Sequence, residues 1–349
     1  MSLKRVTYLI SPRRGSARPS PPGEAKGASA PVRKQYLLPS CFWCKFSLQI
    51  RRSSGKIQGK GGFFMMDLCN AQEVKGLLAR HGFRFSKAKG QNFLIAAWVP
   101  QRIAEESGID RGCGVLEVGP GIGPLTQQLC RRAGRVTAVE VDRSLAPVLQ
   151  ETLGEYSNLH ILWQDILKVD IPALVQAELP ELRPMACANL PYYITSPVLT
   201  ALLEARCFSS VTVMVQKEVA QRMAAAPGSG DSSAFTVFCN YYAQPELLFD
   251  VPPSCFLPQP KVTSSVVRLD IRQSPPCPVE DEALFFRVVR ASFAQRRKQL
   301  QNGLAAGFPA LGKEKIGEIL RACGLSPTVR GETLDIPAFA RIAAAIGRA

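Results

Sequence analysis

The residues best suited to do chemistry lie where apolar runs end. Asn189-Leu190-Pro191-Tyr192 closes one such run. A side-chain amide oxygen and a neighbouring backbone carbonyl can together accept both hydrogens of a conjugated amine. That draws its delocalised lone pair back toward nitrogen. Pro191 removes a competing N–H donor and stiffens the turn. Tyr192 can stack on an extruded base. In isolation the same tetrapeptide also reads as an Asn-x-Pro turn beside a core tyrosine. A second run ends in Glu117-Val118-Gly119-Pro120-Gly121-Ile122-Gly123, where glycines permit a tight turn and close approach of backbone to a ligand. Such turns also serve purely structural ends. A third run ends at Glu140, 21 residues after Gly119, where a carboxylate can accept both hydroxyls of a ribose. Asp142 is its rival and suits the N-cap of a helix beginning at Arg143. A fourth run ends in Gln164-Asp165-Ile166, and Asp165 can accept from an adenine amino group. One strand-end acid is usually a cap or a solvent contact. Two on consecutive strands after a glycine-rich turn are less easily dismissed.

These residues need a scaffold that brings run ends together. Short apolar runs over 115–119, 136–142, 159–165, 185–190 and 211–216 alternate with helical patterns over 123–132, 143–153, 196–205 and 217–225. Continuous apolar strands alternating with helices predict a mostly parallel sheet covered on both faces. Ligands then bind beyond the carboxyl ends of the strands. After Ser274-Pro275-Pro276 only helical patterns remain, over 281–306, 313–323 and 335–347. The expected division is a basic extension over 1–65, an α/β domain over 66–273 and a small all-helical domain over 278–349. No internal repeat is evident.

The chain has 349 residues, enough for one or two domains with a sizeable core, and a formal net charge of +15. Its 46% hydrophobic and 20% charged content excludes a wholly disordered or collagen-like chain. The charge is uneven. Residues 1–65 hold 13 Lys and Arg against one acid, Glu24, and the remainder carries only +3. That first segment is rich in Ser, Gly, Pro and Arg without helical or strand periodicity. It fits a transit peptide, a nucleic-acid-binding arm, or a stretch upstream of a true start at Met65 or Met66. The last is favoured. Cys41-Phe42-Trp43-Cys44 is a lone C-x-x-C and weak evidence for zinc or redox chemistry. The other nine cysteines are scattered and read as reduced core residues. His81 and His160 are too few for a histidine metal site, and no metal is expected. No apolar run approaches the ~20 residues of a membrane span.

The glycine pattern decides between cofactors. A dinucleotide fingerprint needs glycine at the sixth position from Gly119, and Pro124 stands there. This disfavours a nicotinamide oxidoreductase. The E-x-G-x-G-x-G form is instead that of class I methyltransferases, which bind S-adenosyl-L-methionine, and Asn189-Leu190-Pro191-Tyr192 resembles the motif of amino-group N-methyltransferases. From about Asp67 onward the chain resembles the small-subunit ribosomal RNA adenine N6,N6-dimethyltransferase family. The residues carrying the resemblance, in order, begin with Lys89-Gly90-Gln91-Asn92-Phe93-Leu94, the Gly119 loop, Glu140, Asp165 and Asn189-Leu190-Pro191-Tyr192. They continue through Val251-Pro252-Pro253-Ser254-Cys255-Phe256-Leu257-Pro258-Gln259-Pro260-Lys261-Val262 and Ser292-Phe293-Ala294-Gln295-Arg296-Arg297-Lys298-Gln299-Leu300. Cys255 stands where a small residue is expected, and the first 65 residues match nothing in the family.

The resemblance implies a Rossmann-like α/β sheet followed by a small C-terminal all-helical domain. Asn92, Leu94, Gly119, Gly121, Glu140, Asp165 and Asn189 would hold the cofactor. Asn189, Leu190, Pro191, Tyr192 and Phe256 would hold the target adenine. Phe256 reads equally as a core residue between prolines. Arg287, Arg290, Arg296, Arg297 and Lys298, with a second cluster at Arg84, Lys87 and Lys89, would meet RNA phosphates. Equally, an Arg-rich helix is often only a solvated face. The implied activity is dimethylation of N6 on two adjacent adenosines near the 3′ end of small-subunit RNA in a pre-30S particle, by a cytoplasmic monomer independent of membranes. An organellar setting follows if 1–65 is a transit segment. The alternatives are the sister family that dimethylates a large-subunit adenosine and confers macrolide resistance, or a non-catalytic nucleic-acid-binding factor on the same fold.

Overall fold

In the computed structural model the described residues are 68–83, 90–295 and 298–349. The expectations for residues 1–65, for Arg84, Lys87 and Lys89, and for Arg296 and Arg297 fall outside them.

Five consecutive strands form the expected parallel sheet: β2 (Cys113–Val118), β3 (Arg135–Glu140), β4 (Leu159–Trp163), β5 (Arg183–Asn189) and β6 (Ser210–Gln216). Every residue of β2 is buried, as a central strand covered on both faces requires. Two further strands, β7 (Ala243–Val251) and β9 (Ser264–Ile271), add antiparallel to the β6 edge, giving the order β4-β3-β2-β5-β6-β9-β7. Sequence patterning missed this pair. β7 carries Pro245 and a register shift between Leu247 and Phe249, which interrupt its alternation. A separate two-residue ribbon pairs β1 (Phe93–Leu94) with β8 (Phe256–Leu257), placing Leu94 opposite Phe256. It joins segments more than 160 residues apart at the carboxyl edge of the sheet.

Helices fill the crossovers: α3 (Pro124–Arg132), α4 (Ala146–Leu153), α5 (Ile171–Glu178) and α6 (Thr195–Glu204). Their starts follow local chemistry. Asp170 caps α5 by accepting from the Ala173 amide, and Pro124 occupies the first turn of α3, where its missing N–H costs nothing. Ahead of the sheet lie α1 (Ala71–Arg80) and α2 (Trp98–Glu106), and after β6 come α7 (Lys217–Ala224) and α8 (Ala234–Tyr242). Ser233 and Thr236 close a reciprocal capping box at the start of α8.

The single helix expected over 281–306 is two: α9 (Glu282–Phe293) and α10 (Leu300–Gly307). The reason is packing. A Cβ at Gly303 would lie 2.5 Å from the Ala291 carbonyl oxygen, and one at Gly307 2.5 Å from the Ala291 Cβ. These two glycines let α10 fold back onto α9, so the chain must turn between them. Then follow α11 (Gly312–Ala322) and α12 (Ile336–Gly347). One apolar cluster runs from Leu116 and Val213 in the sheet to Phe285 and Phe339 in the C-terminal helices. Tyr241 of α8 stacks on Phe285 of α9, ring centroids 5.1 Å apart. The change of sequence character at Ser274-Pro275-Pro276 is therefore crossed by continuous core. No helix among the described residues is long and apolar enough to cross a membrane.

Candidate active site

A cleft enclosing about 870 Å³, its open mouth included, lies at the carboxyl ends of the parallel strands. Of the residues singled out in the sequence, Asn92, Gly119, Glu140, Asp165, Asn189, Leu190, Pro191, Tyr192 and Phe256 all line it. Residues from six separate segments are thus gathered by strand ends and by the β1–β8 ribbon.

The β3 and β4 ends supply carboxylates. Glu140 is buried at the end of β3, with Oε1 accepting from the Asp142 amide at 2.8 Å and Oε2 from the Gly121 amide at 3.4 Å. Burial raises its pKa, and these amides partly offset the rise. Gly121 reaches Glu140 with φ at +62°, and a Cβ there would meet the Phe93 ring at 3.3 Å. Asp142 does cap the turn Arg143–Leu145, accepting from the Ser144 amide at 3.2 Å. It also accepts from Gln91 Nε2 at 2.9 Å. That bond ties the β1 segment to the end of β3 and was not legible from spacing. Asp165 combines both readings: Oδ1 caps the next turn through the Leu167 amide at 3.1 Å, while the residue faces the cleft with Lys168 Nζ 3.9 Å from Oδ2.

The β5 end differs. Asn189 closes β5, and among the described residues its side-chain amide has no protein partner. The Leu190 amide donates to the Met214 carbonyl at 3.2 Å, fixing the following turn to β6. Tyr192 is half-buried, and its hydroxyl pairs with Ser264 Oγ at 2.8 Å at the start of β9. Burial raises the pKa of that phenol, and the Ser264 bond partly opposes the shift. Phe256 is only 3% exposed yet borders the cleft, so it is core on one side and wall on the other. Sequence reasoning missed Ser264, the brace for Tyr192, because it arrives on an unrecognised antiparallel strand. It also missed Tyr193, which lines the mouth.

Of the expected cofactor positions, Leu94 and Gly121 stand apart from the lining. Leu94 is 1% exposed and packs in the core beneath the cleft, where it pairs with Phe256. Gly121 acts on the site through Glu140. Arg287 donates to the Gly307 carbonyl at 2.8 Å and lies 4.4 Å over the Phe308 ring, so it holds α9 to the end of α10. Arg287, Arg290 and Lys298 are all exposed.

Comparisons with known proteins agree on one family. A family model described as ribosomal RNA adenine dimethylase matches residues 82–331. The chain is 47% identical over 285 residues to the ribosomal RNA small subunit methyltransferase A of Geobacillus thermodenitrificans, covering 80% of this chain and 97% of that protein. It is 43% identical over 286 residues to the protein of the same name from Listeria monocytogenes serotype 4a, covering 80% and 97%. Among solved structures it resembles a dimethyladenosine transferase from Plasmodium falciparum, with a TM-score of 0.61, 25% identity, and coverage of 72% of this chain and 96% of that one. It also resembles the 23S rRNA methyltransferase ErmE, with a TM-score of 0.55, 27% identity, and coverage of 73% and 100%.

Proposed function

The chain belongs to the ribosomal RNA adenine dimethylase family, and we propose that it dimethylates N6 of two adjacent adenosines near the 3′ end of small-subunit RNA in a pre-30S particle. It is an S-adenosyl-L-methionine-dependent methyltransferase whose substrate is ribosomal RNA. The observation supporting the small-subunit choice is identity. Over 97% of their length the small-subunit relatives are 47% and 43% identical to this chain, whereas the 23S enzyme reaches 27%. Both kinds of enzyme share the fold, so shape does not choose between them. Action as a monomer in the cytoplasm is part of the proposal, the latter because these relatives are bacterial.

The cleft fits the cofactor by its donor set. A buried carboxylate held by two backbone amides at a strand end, a second carboxylate on the neighbouring strand, and a glycine turn on the first carboxylate's other side suit a ribose, an adenine and an amino-acid tail. Glu140 would accept the ribose hydroxyls and Asp165 the adenine amine, with Asn92, Gly119 and Asn189 along the remainder. When bound, the cofactor supplies an activated methyl group on a good leaving group. What this chain's residues add is position. Asn189 Oδ1 and the Leu190 carbonyl accept the two N6 hydrogens of the target adenine. This turns the nitrogen lone pair out of conjugation. Tyr192, braced by Ser264, and Phe256 hold the ring between two aromatic faces. Arg290, Arg296, Arg297 and Lys298 would meet phosphates, giving salt-dependent affinity with little sequence reading.

The test is incubation with methyl-labelled cofactor and small- or large-subunit particles from a strain lacking both modifications. Label confined to two adjacent small-subunit adenosines is expected. Label in large-subunit RNA would overturn the substrate reading, and no label in either would favour a binding factor.

A further inference from the structure

We propose that Tyr193 is a positioning residue for the nucleotide beside the one being modified, a stacking platform at the mouth of the cleft. The proposal rests on the reading above, in which the target adenosine enters at Asn189 and Tyr192. Two consecutive tyrosines share the turn Tyr192–Ile194 but meet different surroundings. Tyr192 turns inward and is tied to Ser264. Tyr193 turns outward and is 59% exposed. Among the described residues the other exposed aromatic is Trp98, at 42%, which lies on α2 and does not line the cleft.

A single exposed aromatic needs no explanation by itself. Tyr193 differs in being both at the cleft and braced. A Cβ built on Gly90 would lie 3.1 Å from Tyr193 Cδ1 and 3.3 Å from Cε1, with Pro191 Cβ 3.8 Å away. The ring edge thus rests on bare backbone, where Gly90 adopts φ of +56°. An aromatic surface held this way has little side-chain freedom to lose on binding. Extruding one base from a single-stranded segment removes a stacking partner from its neighbour. RNA-binding proteins commonly replace that partner with an aromatic side chain. The substrate proposed here presents two adjacent adenosines, so a base waits beside the extruded one whichever is being modified. Tyr193 is adjacent in sequence to the aromatic that would hold the extruded base, and it faces the opening through which the RNA must arrive.

The experiment compares Tyr193→Phe, Tyr193→Trp, Tyr193→Leu and Tyr193→Ala in the full chain. Small-subunit particles lacking the modification are the substrate, and methylation is read separately at each adenosine. Loss of one base stack predicts an apparent KM for the particle raised about 10-fold or more in the Leu and Ala variants. Phe and Trp are expected to stay near wild type, because the ring and not the hydroxyl carries the contact. Cofactor affinity should be unchanged in all four, and the Leu and Ala variants should accumulate particles with only one adenosine dimethylated. Equal behaviour of Leu and Phe, or a weakened cofactor affinity with unchanged KM, would overturn the proposal. If the wild type instead labels large-subunit RNA, the substrate reading fails on its own. The aromatic-versus-Leu split measured on that RNA then decides the role of Tyr193.

Discussion

At the β3 end of the cleft, the polar atoms are already paired. Both oxygens of Glu140 accept backbone amides, and Asp142 is engaged by Ser144 and by Gln91. At the β5 end, the Asn189 amide has no protein partner among the described residues and aromatic rings line the wall and mouth. The contrast suggests a division of labour. A buried carboxylate must be held in place before any ligand arrives, because desolvating it unpaired is costly. An amide that is to grip a substrate's hydrogens must keep its oxygen free. On the function proposed above, the first end is preorganised for a cofactor that is exchanged after each transfer, and the second is completed by the planar amine that enters it.

The largest expected effect breaks the β5 end alone. Asn189→Ala should lower kcat about 100-fold or more, as removal of one preorganised hydrogen-bonding group in an active site does. Calorimetry should show cofactor binding largely retained. Equal loss of both would mean that the two ends are one site. Next is Glu140→Gln, which removes a charge-assisted acceptor and should weaken cofactor binding by roughly 10-fold or more. The same residue sets a pH dependence. Burial raises the Glu140 pKa, so cofactor affinity should decline on acidification at a higher pH than an ordinary glutamate would give. Affinity unchanged down to about pH 4 would separate Glu140 from the cofactor.

Glu117 sharpens the comparison from beneath. It lies on β2 under the glycine turn, fully buried, with one oxygen lacking a hydrogen-bond partner. Burial, with a lesser contribution from nearby Glu140, pushes its pKa up to about 8. The folded state therefore binds this proton more tightly than the unfolded chain does. Its contribution to stability is present below the unfolded value and is lost as pH rises toward 8. Glu117→Gln should flatten the decline in urea midpoint between about pH 5 and pH 8 relative to wild type. Identical slopes would contradict a protonated Glu117. The smallest effect is expected for Tyr192→Phe, which removes only the bond to Ser264. Roughly 1 kcal/mol of stability and a few-fold loss in turnover are expected, measured by denaturation and by steady-state rates.

The strand ends were legible because central parallel strands are buried on both faces and read as continuous apolar runs. Val115, Val136 and Val211 announced β2, β3 and β6 in this way. The acids and Asn189 followed from where those runs stopped. The antiparallel edge was not legible, since Pro245 and the irregularity near Leu247 blur β7, and with it went Ser264. The break between α9 and α10 was hidden because Gly303 and Gly307 act through contact with Ala291, which periodicity does not report. Nor can two adjacent tyrosines reveal from sequence which one faces the core. That depends on Ser264 and Gly90, both distant along the chain.

The measurement that bears most directly on the divided cleft is a crystal structure of this protein with S-adenosyl-L-homocysteine. The expected result places the ribose hydroxyls on Glu140, the adenine amine at Asp165, and the sulfur toward Asn189 and Tyr192. An adenine seated at Asn189, with Glu140 and Asp165 left without ligand contact, would contradict the account.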